Sequence, residues 1–266
     1  MTTQNFQPFS RTTESDVTRA LVREFSKWFE DCIQTDVLVA GGGPSGLMCA
    51  RTLAQKGIKV ALIERNNYLG GGFWTGGFLM NKVVVRTPAD TVLAELGIPF
   101  KEVYPGSVVA EAPQACSKLI AAACDAGVKI LNMTSVEDIV IREDNRVAGL
   151  VINWTPVYSL PQEIACIDPV ALEARLVVDA TGHDASIARH LSARGLMSIP
   201  GCHPMWIEKS EDDVVQKTGF IHPGLMVIGM SVAAVYGLPR MGPSFGSMLL
   251  SGIRGAELAC EFLGKG

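Results

Sequence analysis

Thr35-Asp-Val-Leu-Val-Ala-Gly-Gly-Gly-Pro-Ser-Gly46 is an apolar run that breaks at once into a glycine-rich turn. The run reads as a buried β-strand over 35–40, and the glycines at 41, 43 and 46 fit the spacing G-x-G-x-x-G. Downstream, 47–56 reads as a helix ended by Gly57, and Lys59-Val-Ala-Leu-Ile-Glu64 as a second buried strand. A strand, a glycine turn, a helix and a strand ending in an acidic residue form a βαβ unit suited to a dinucleotide. Gly41 permits the tight turn, Gly43 lets the main chain approach a pyrophosphate, and Gly46 allows close helix packing. The helix N-terminus adds N–H donors and the positive end of its dipole. Glu64 can accept hydrogen bonds from an adenosine ribose.

Before this unit, 12–33 has the pattern of an amphipathic helix. Thr13 or Ser15 can cap it, and Val17, Leu21, Phe25, Trp28 and Phe29 recur at helical spacing. Residues 1–34 are therefore set apart as an N-terminal helical element that packs on the body of the protein or on a neighbouring subunit. Residues 35–266 are expected to form one dinucleotide-binding α/β domain with a β-hairpin insert at about 137–155. Further helices are expected over 87–96, 113–126 and 246–263. Strands are expected over 128–133, within 173–180 and over 225–230, and a hairpin at 137–142 and 146–154. The fold class is α/β, a Rossmann-like dinucleotide-binding fold of the two-dinucleotide-domain flavoprotein type with an inserted β-hairpin or meander.

The 266 residues are 48% hydrophobic and 19% charged, enough to bury a core. A net charge of −4 without a basic run argues against a nucleic-acid partner. The seven cysteines are scattered without a CxxC pair, which points to neither a disulfide framework nor a zinc knuckle. The first residues lack the apolar core of a signal peptide, and Leu225–Tyr236, interrupted by Gly229, is too short to span a bilayer. A soluble, cytoplasmic protein with no membrane partner is expected.

Three side chains outside the glycine turn carry candidate chemistry. Asp168 in a loop and His183 beside Gly182, at the carboxyl end of a strand, are a carboxylate and an imidazole suited to a metal with open positions. Arg240, in Pro239-Arg-Met-Gly-Pro243, can clamp a carboxylate bidentately. The bland alternatives are a structural histidine and a surface arginine.

Taken together, the motifs resemble those of the thiamin thiazole synthases along nearly the whole chain after the first helix. The matching segments are Gly41–Gly46, Glu64-Arg65, Gly70-Gly-Gly-Phe-Trp-Thr-Gly-Gly77, Arg86-Thr-Pro-Ala89 with Glu95-Leu-Gly-Ile98, and Asn153-Trp-Thr155. Cys166-Ile-Asp-Pro169, Asp179-Ala-Thr-Gly-His-Asp184 and Arg240-Met-Gly-Pro-Ser-Phe-Gly246 complete the set. The resemblance implies an enzyme that builds an adenylated thiazole carboxylate from NAD and glycine with Fe(II), ligated at Asp168 and His183. It also implies that Cys166 gives its own sulfur and becomes dehydroalanine in a single turnover; members with histidine at that position use free sulfide instead. By the same route Ser45, Arg65, Gly72, Val136 and Met230 are expected around the nucleotide, Arg240 on glycine, and the chains in a homo-oligomer, commonly an octamer. His203, His222 and Asp184 are expected to support these groups.

Two other readings remain open at the level of sequence. One is the same reaction with free sulfide and Cys166 a bystander. The other is an FAD-dependent oxidoreductase on the same fold, although Gly229-Met230 lacks the carboxylate such flavoproteins usually place after a late strand glycine. A non-enzymatic NAD-binding protein would leave Cys166, Asp168, His183 and Arg240 without a common purpose.

Overall fold

The computed structural model describes residues 8–161, 163 and 167–265. The expected sulfur donor, Cys166, lies outside the described residues. In chain order the elements are α1 (Glu14–Ile33), β1 (Gln34–Ala40), α2 (Pro44–Gln55), β2 (Val60–Ile63), α3 (Gly72–Thr75), β3 (Lys82–Arg86), α4 (Asp90–Glu95) and β4 (Phe100–Tyr104). They continue with β5 (Ser107–Glu111), α5 (Ala112–Asp125), β6 (Lys129–Leu131), β7 (Thr134–Ile141), β8 (Val147–Trp154) and β9 (Val170–Asp179). The last are α6 (Ser186–Ala193), α7 (Ile207–Lys217), β10 (Gly219–His222), β11 (Leu225–Val227), α8 (Met230–Tyr236) and α9 (Gly246–Leu263).

The main sheet runs β10-β11-β9-β1-β2-β6, and β11, β9, β1, β2 and β6 are mutually parallel. Successive side chains of a strand point to opposite faces. In β1, Val37 and Val39 enter a core built with α2, α5 and α9, while Leu38 and Ala40 enter a second core with Cys32 of α1 and Leu191 of α6. Burial on both faces explains why this strand is an unbroken apolar run. β7 and β8 form the expected hairpin, which begins at Thr134 and joins the first residues of β9 in antiparallel register. Thr13 caps α1 through a reciprocal bond with Asp16. No helix among the described residues is long and apolar enough to cross a membrane.

Three features depart from the sequence reading. A separate antiparallel sheet, β3-β5-β4, was not expected. Its strands have five residues each, and only Val83, Val85, Val108 and Ala110 reach the core, so their apolar pattern is too short to stand out beside the glycine loop. The helix expected over 87–96 starts at Asp90, since Pro88 keeps Thr87 out of the helical region. The last parallel strand stops at Val227; Gly229, at φ +60°, turns the chain so that Met230 opens α8.

Candidate functional site

The carboxyl ends of β1, β2 and β9 and the turn after β11 converge on a cavity of about 1070 Å³, the place where parallel α/β sheets bind ligands. Its lining includes Gly41, Gly43, Ser45, Glu64, Arg65, Gly72, Val136, His183, Met230 and Arg240. Ten of the residues expected at the site are thus brought to one wall-to-wall space from seven separate stretches of chain.

The three glycines of the turn play different parts. A Cβ on Gly41, at φ +106°, would lie 2.3 Å from the Ala180 carbonyl oxygen, so the ends of β1 and β9 can meet only over glycine. Gly46 does not line the cavity; its Cβ would sit 1.9 Å from the Gly41 carbonyl oxygen, which makes it a packing position. Gly43 is different. A Cβ there would meet nothing within 4 Å, and Gly43 lines the cavity, so protein packing leaves room for a ligand at that point. Gly43 is also the N-cap of α2 and brings no side-chain acceptor, leaving the first-turn amides to a bound anion.

Glu64 is buried, and main-chain amides fix its carboxylate: Gly42 donates to one oxygen at 2.8 Å and Asn66 to the other at 2.8 Å. Glu64 lines the cavity, and a carboxylate with one donor on each oxygen keeps acceptor capacity for a ribose. Arg65 pairs with Asp184 at 3.5 Å, both side chains exposed, and both residues line the cavity. The turn after β9 is organised by Asp179. Fully buried, it accepts from the Thr181 amide and hydroxyl, the Ser231 hydroxyl and the amides of Ile187 and Ala188. His183 follows on the short helical turn 182–184. Desolvation first, and then the Arg240 guanidinium, hold its imidazole below the ordinary histidine value, against the opposing pull of Asp184. A neutral imidazole is the form that can ligate a metal.

Arg240 is placed by its main chain. Its amide donates to the His203 carbonyl at 3.3 Å, and its own carbonyl accepts from the Trp206 amide at 3.0 Å. The loop beyond it is pinned by Glu211, which sequence reasoning missed. This buried carboxylate takes the Ser244 hydroxyl at 2.8 Å, the Ser247 amide at 3.3 Å and the Arg86 guanidinium at 2.8 Å. His203 therefore supports the site through its backbone. His222 does not: its ring bonds the Asn145 carbonyl at 2.7 Å, at the far tip of the β7–β8 hairpin.

Asp168 is exposed and lies outside the cavity lining of the single chain. Among the described residues no group of three or more His, Cys, Asp or Glu side chains is placed to hold a metal ion. Burial pushes the Cys49 and Cys116 thiols up to about 12 and the Cys32 thiol to about 11, which keeps them unreactive. The cavity also takes in Glu137 and Tyr158, which were not singled out from the sequence. The Tyr158 hydroxyl, lifted to about 12 by burial and by the nearby Glu137 carboxylate, remains protonated.

A sequence model described as the Thi4 family matches residues 18–245. A protein of Aeropyrum pernix named thiamine thiazole synthase is 50% identical over 256 residues, covering 96% of this chain and 94% of the relative. The crystal structure of Thermovibrio ammonificans THI4 superposes with a TM-score of 0.91 at 36% identity, covering 96% of this chain and 100% of that one. A geranylgeranyl bacteriochlorophyll reductase-like protein of Thermoplasma acidophilum shares the fold alone, at a TM-score of 0.55 and 16% identity over 87% of this chain and 79% of that one.

Proposed function

Because the chain belongs to the Thi4 family, we propose that it acts as a thiamine thiazole synthase that consumes NAD and glycine, with Fe(II) bound and Cys166 as the sulfur donor. The observation that carries this reading is the single cavity in which the glycine turn and Glu64 share a space with His183 and Arg240.

In this reading the adenosine ribose bonds the pre-set Glu64 carboxylate, and the pyrophosphate lies over Gly43 and the open N-terminus of α2. The space a Cβ at 43 would enter is the fit expected of such a ligand. The nicotinamide ribose then reaches the end of the cavity that holds His183 and Arg240. Loss of nicotinamide exposes a ribose carbonyl; Arg240 grips the glycine carboxylate and aims its amine at that carbon. Sulfur leaves Cys166, which becomes dehydroalanine, and cyclisation with loss of water completes the thiazole.

Asp168 and His183 offer an oxygen and a neutral nitrogen donor, a set that suits Fe(II) and leaves positions for substrate atoms. Bound iron would supply Lewis-acid stabilisation at the reacting end of the dinucleotide. Since Asp168 lies outside the lining of its own chain's cavity, this pair is completed between neighbouring copies in a homo-oligomer, an octamer by family resemblance. The exposed apolar side chains of α1, Leu21, Val22 and Phe25 among them, support such assembly. A cytoplasmic location accords with this chemistry. The test is direct: purified protein given NAD, glycine and Fe(II) without sulfide yields the adenylated thiazole carboxylate, and a Cys166→Ala variant yields it only with added sulfide. A flavin spectrum and no thiazole would favour the oxidoreductase reading instead.

A further inference from the structure

The Asn153-Trp-Thr155 motif at the end of β8 does not line the cavity, yet its side chains bond Glu137, Arg65 and Ser135, which do. Asn153 is buried, and each hydrogen-bonding group of its amide is used. Its oxygen accepts the Trp154 amide at 2.9 Å. Its nitrogen donates to the Glu137 carboxylate at 3.0 Å and to the Ile167 carbonyl at 3.1 Å. In sequence, Ile167 is the residue between Cys166 and Asp168. Two acceptors on the nitrogen and one donor on the oxygen leave no choice of amide orientation.

Glu137 can meet Asn153 because of an irregularity in the hairpin. Val136 pairs with Ile152 and Asp138 with Val151, so Glu137 is an extra residue, a β-bulge. In a regular strand consecutive side chains alternate between faces, but here Ser135, Val136 and Glu137 all line the cavity. Bulges re-aim side chains beside active sites in this manner. Tyr158 lines the same cavity, near enough to this carboxylate to feel its charge. On the other side of the motif, the Thr155 hydroxyl donates to the Arg65 carbonyl at 2.7 Å and contacts the Ser135 hydroxyl at 2.8 Å.

We propose that Asn153 is a positioning residue: held by Glu137 at the bulge, it anchors the Ile167 carbonyl, and thereby the chain between positions 166 and 168, to the wall of the dinucleotide cavity. This rests on the proposed function, since it assigns those two positions their chemistry. Asn153 carries no proton and touches no reacting atom in this account. It fixes the main chain from which Asp168, in the proposed assembly, reaches a neighbouring copy's cavity, and a misplacement of about 1 Å there costs about 10²-fold in rate.

The experiment uses the full-length protein and its N153A, N153D, E137A and E137Q variants. Four quantities are read: thermal midpoint, NAD binding by calorimetry, Co(II) binding by visible absorption, and the single-turnover rate of Cys166 conversion by peptide mass spectrometry. N153D is the sharper change, since it sets a carboxylate against Glu137 and a carbonyl at unchanged volume. The expected result is a conversion rate lowered about 10²-fold in N153A and N153D with weakened Co(II) binding, while NAD affinity is retained. E137Q, whose amide oxygen still accepts from Asn153, recovers most of the rate that E137A loses. Wild-type rates in both Asn153 variants would overturn the proposal, as would loss of NAD binding and thermal stability in step with the rate. An E137Q as slow as E137A would also overturn it, by showing that the carboxylate's charge and not the anchor matters. Wild-type protein that makes no thiazole overturns the proposed function itself, and the inference with it.

Discussion

The Glu64 carboxylate is held 2.8 Å from the Gly42 amide, so the group that should bind the ribose is oriented by the turn that should bind the pyrophosphate. Replacing Glu64 by alanine strands two main-chain donors, at a cost of about 1–3 kcal/mol for each that stays dry. Urea unfolding of Glu64→Ala should show this loss. Calorimetry should show a larger loss of NAD affinity than of stability, because the ligand contact and its scaffold go together. Glu64→Gln, which can still accept one of the two amides, should fall between.

Gly43 and Gly46 should part company under the same substitution. Gly43→Ala suits the local backbone, at φ −72°, and clashes with nothing, so the thermal midpoint should hold while NAD binding weakens at least about tenfold. Gly46→Ala drives a methyl into the Gly41 carbonyl and should destabilise the fold by about 1–3 kcal/mol or more, with NAD binding lost as a consequence. Equal behaviour of the two variants in paired melting and binding experiments would refute this division of roles.

How legible the site was depends on distance along the chain. Gly41, Gly43, Gly46 and Glu64 belong to one βαβ unit, where spacing and apolar runs report local geometry, and the cavity is built on them. His183 and Arg240 were legible as chemistry beside strand ends and turns, and the fold brings both to that cavity. Glu211 was not legible, because its partners Arg86 and Ser244 come from remote segments and one carboxylate among the acidic residues of a polar helix has no signature. The β3-β5-β4 sheet was missed for a different reason. Lys82-Val-Val-Val-Arg86 and Ser107-Val-Val-Ala-Glu111 do carry β-branched runs, which could have flagged it, but each is a single short strand.

Glu211→Ala should act at a distance. It removes the acceptor for Ser244, Ser247 and Arg86, costing about 1–3 kcal/mol in stability. With its loop released, Arg240 should meet glycine less well, raising KM for glycine more than for NAD. Steady-state kinetics with added sulfide in a Cys166→Ala background would read this; an equal rise in both KM values would contradict it.

The imidazole of His183 should resist protonation below its ordinary value of 6.5. Metal binding should therefore persist as pH falls past 6.5, since protons compete only with a ligand that accepts them. The causes give signed tests: Arg240→Ala removes a repelling cation and should raise the midpoint, whereas Asp184→Asn removes an attracting anion and should lower it. Unfolding in the same window takes up a proton, so the contribution of this group to stability is full above 6.5 and declines as pH falls toward the folded value. Co(II) titrations at a series of pH values, alongside NMR of the ring, would measure both.

Peptide mass spectrometry across one turnover reaches the central claim most directly. Protein incubated with NAD, glycine and Fe(II), without sulfide, should release adenylated thiazole carboxylate in step with a peptide in which Cys166 has lost the elements of hydrogen sulfide. Thiazole formed while Cys166 stays intact would contradict the account.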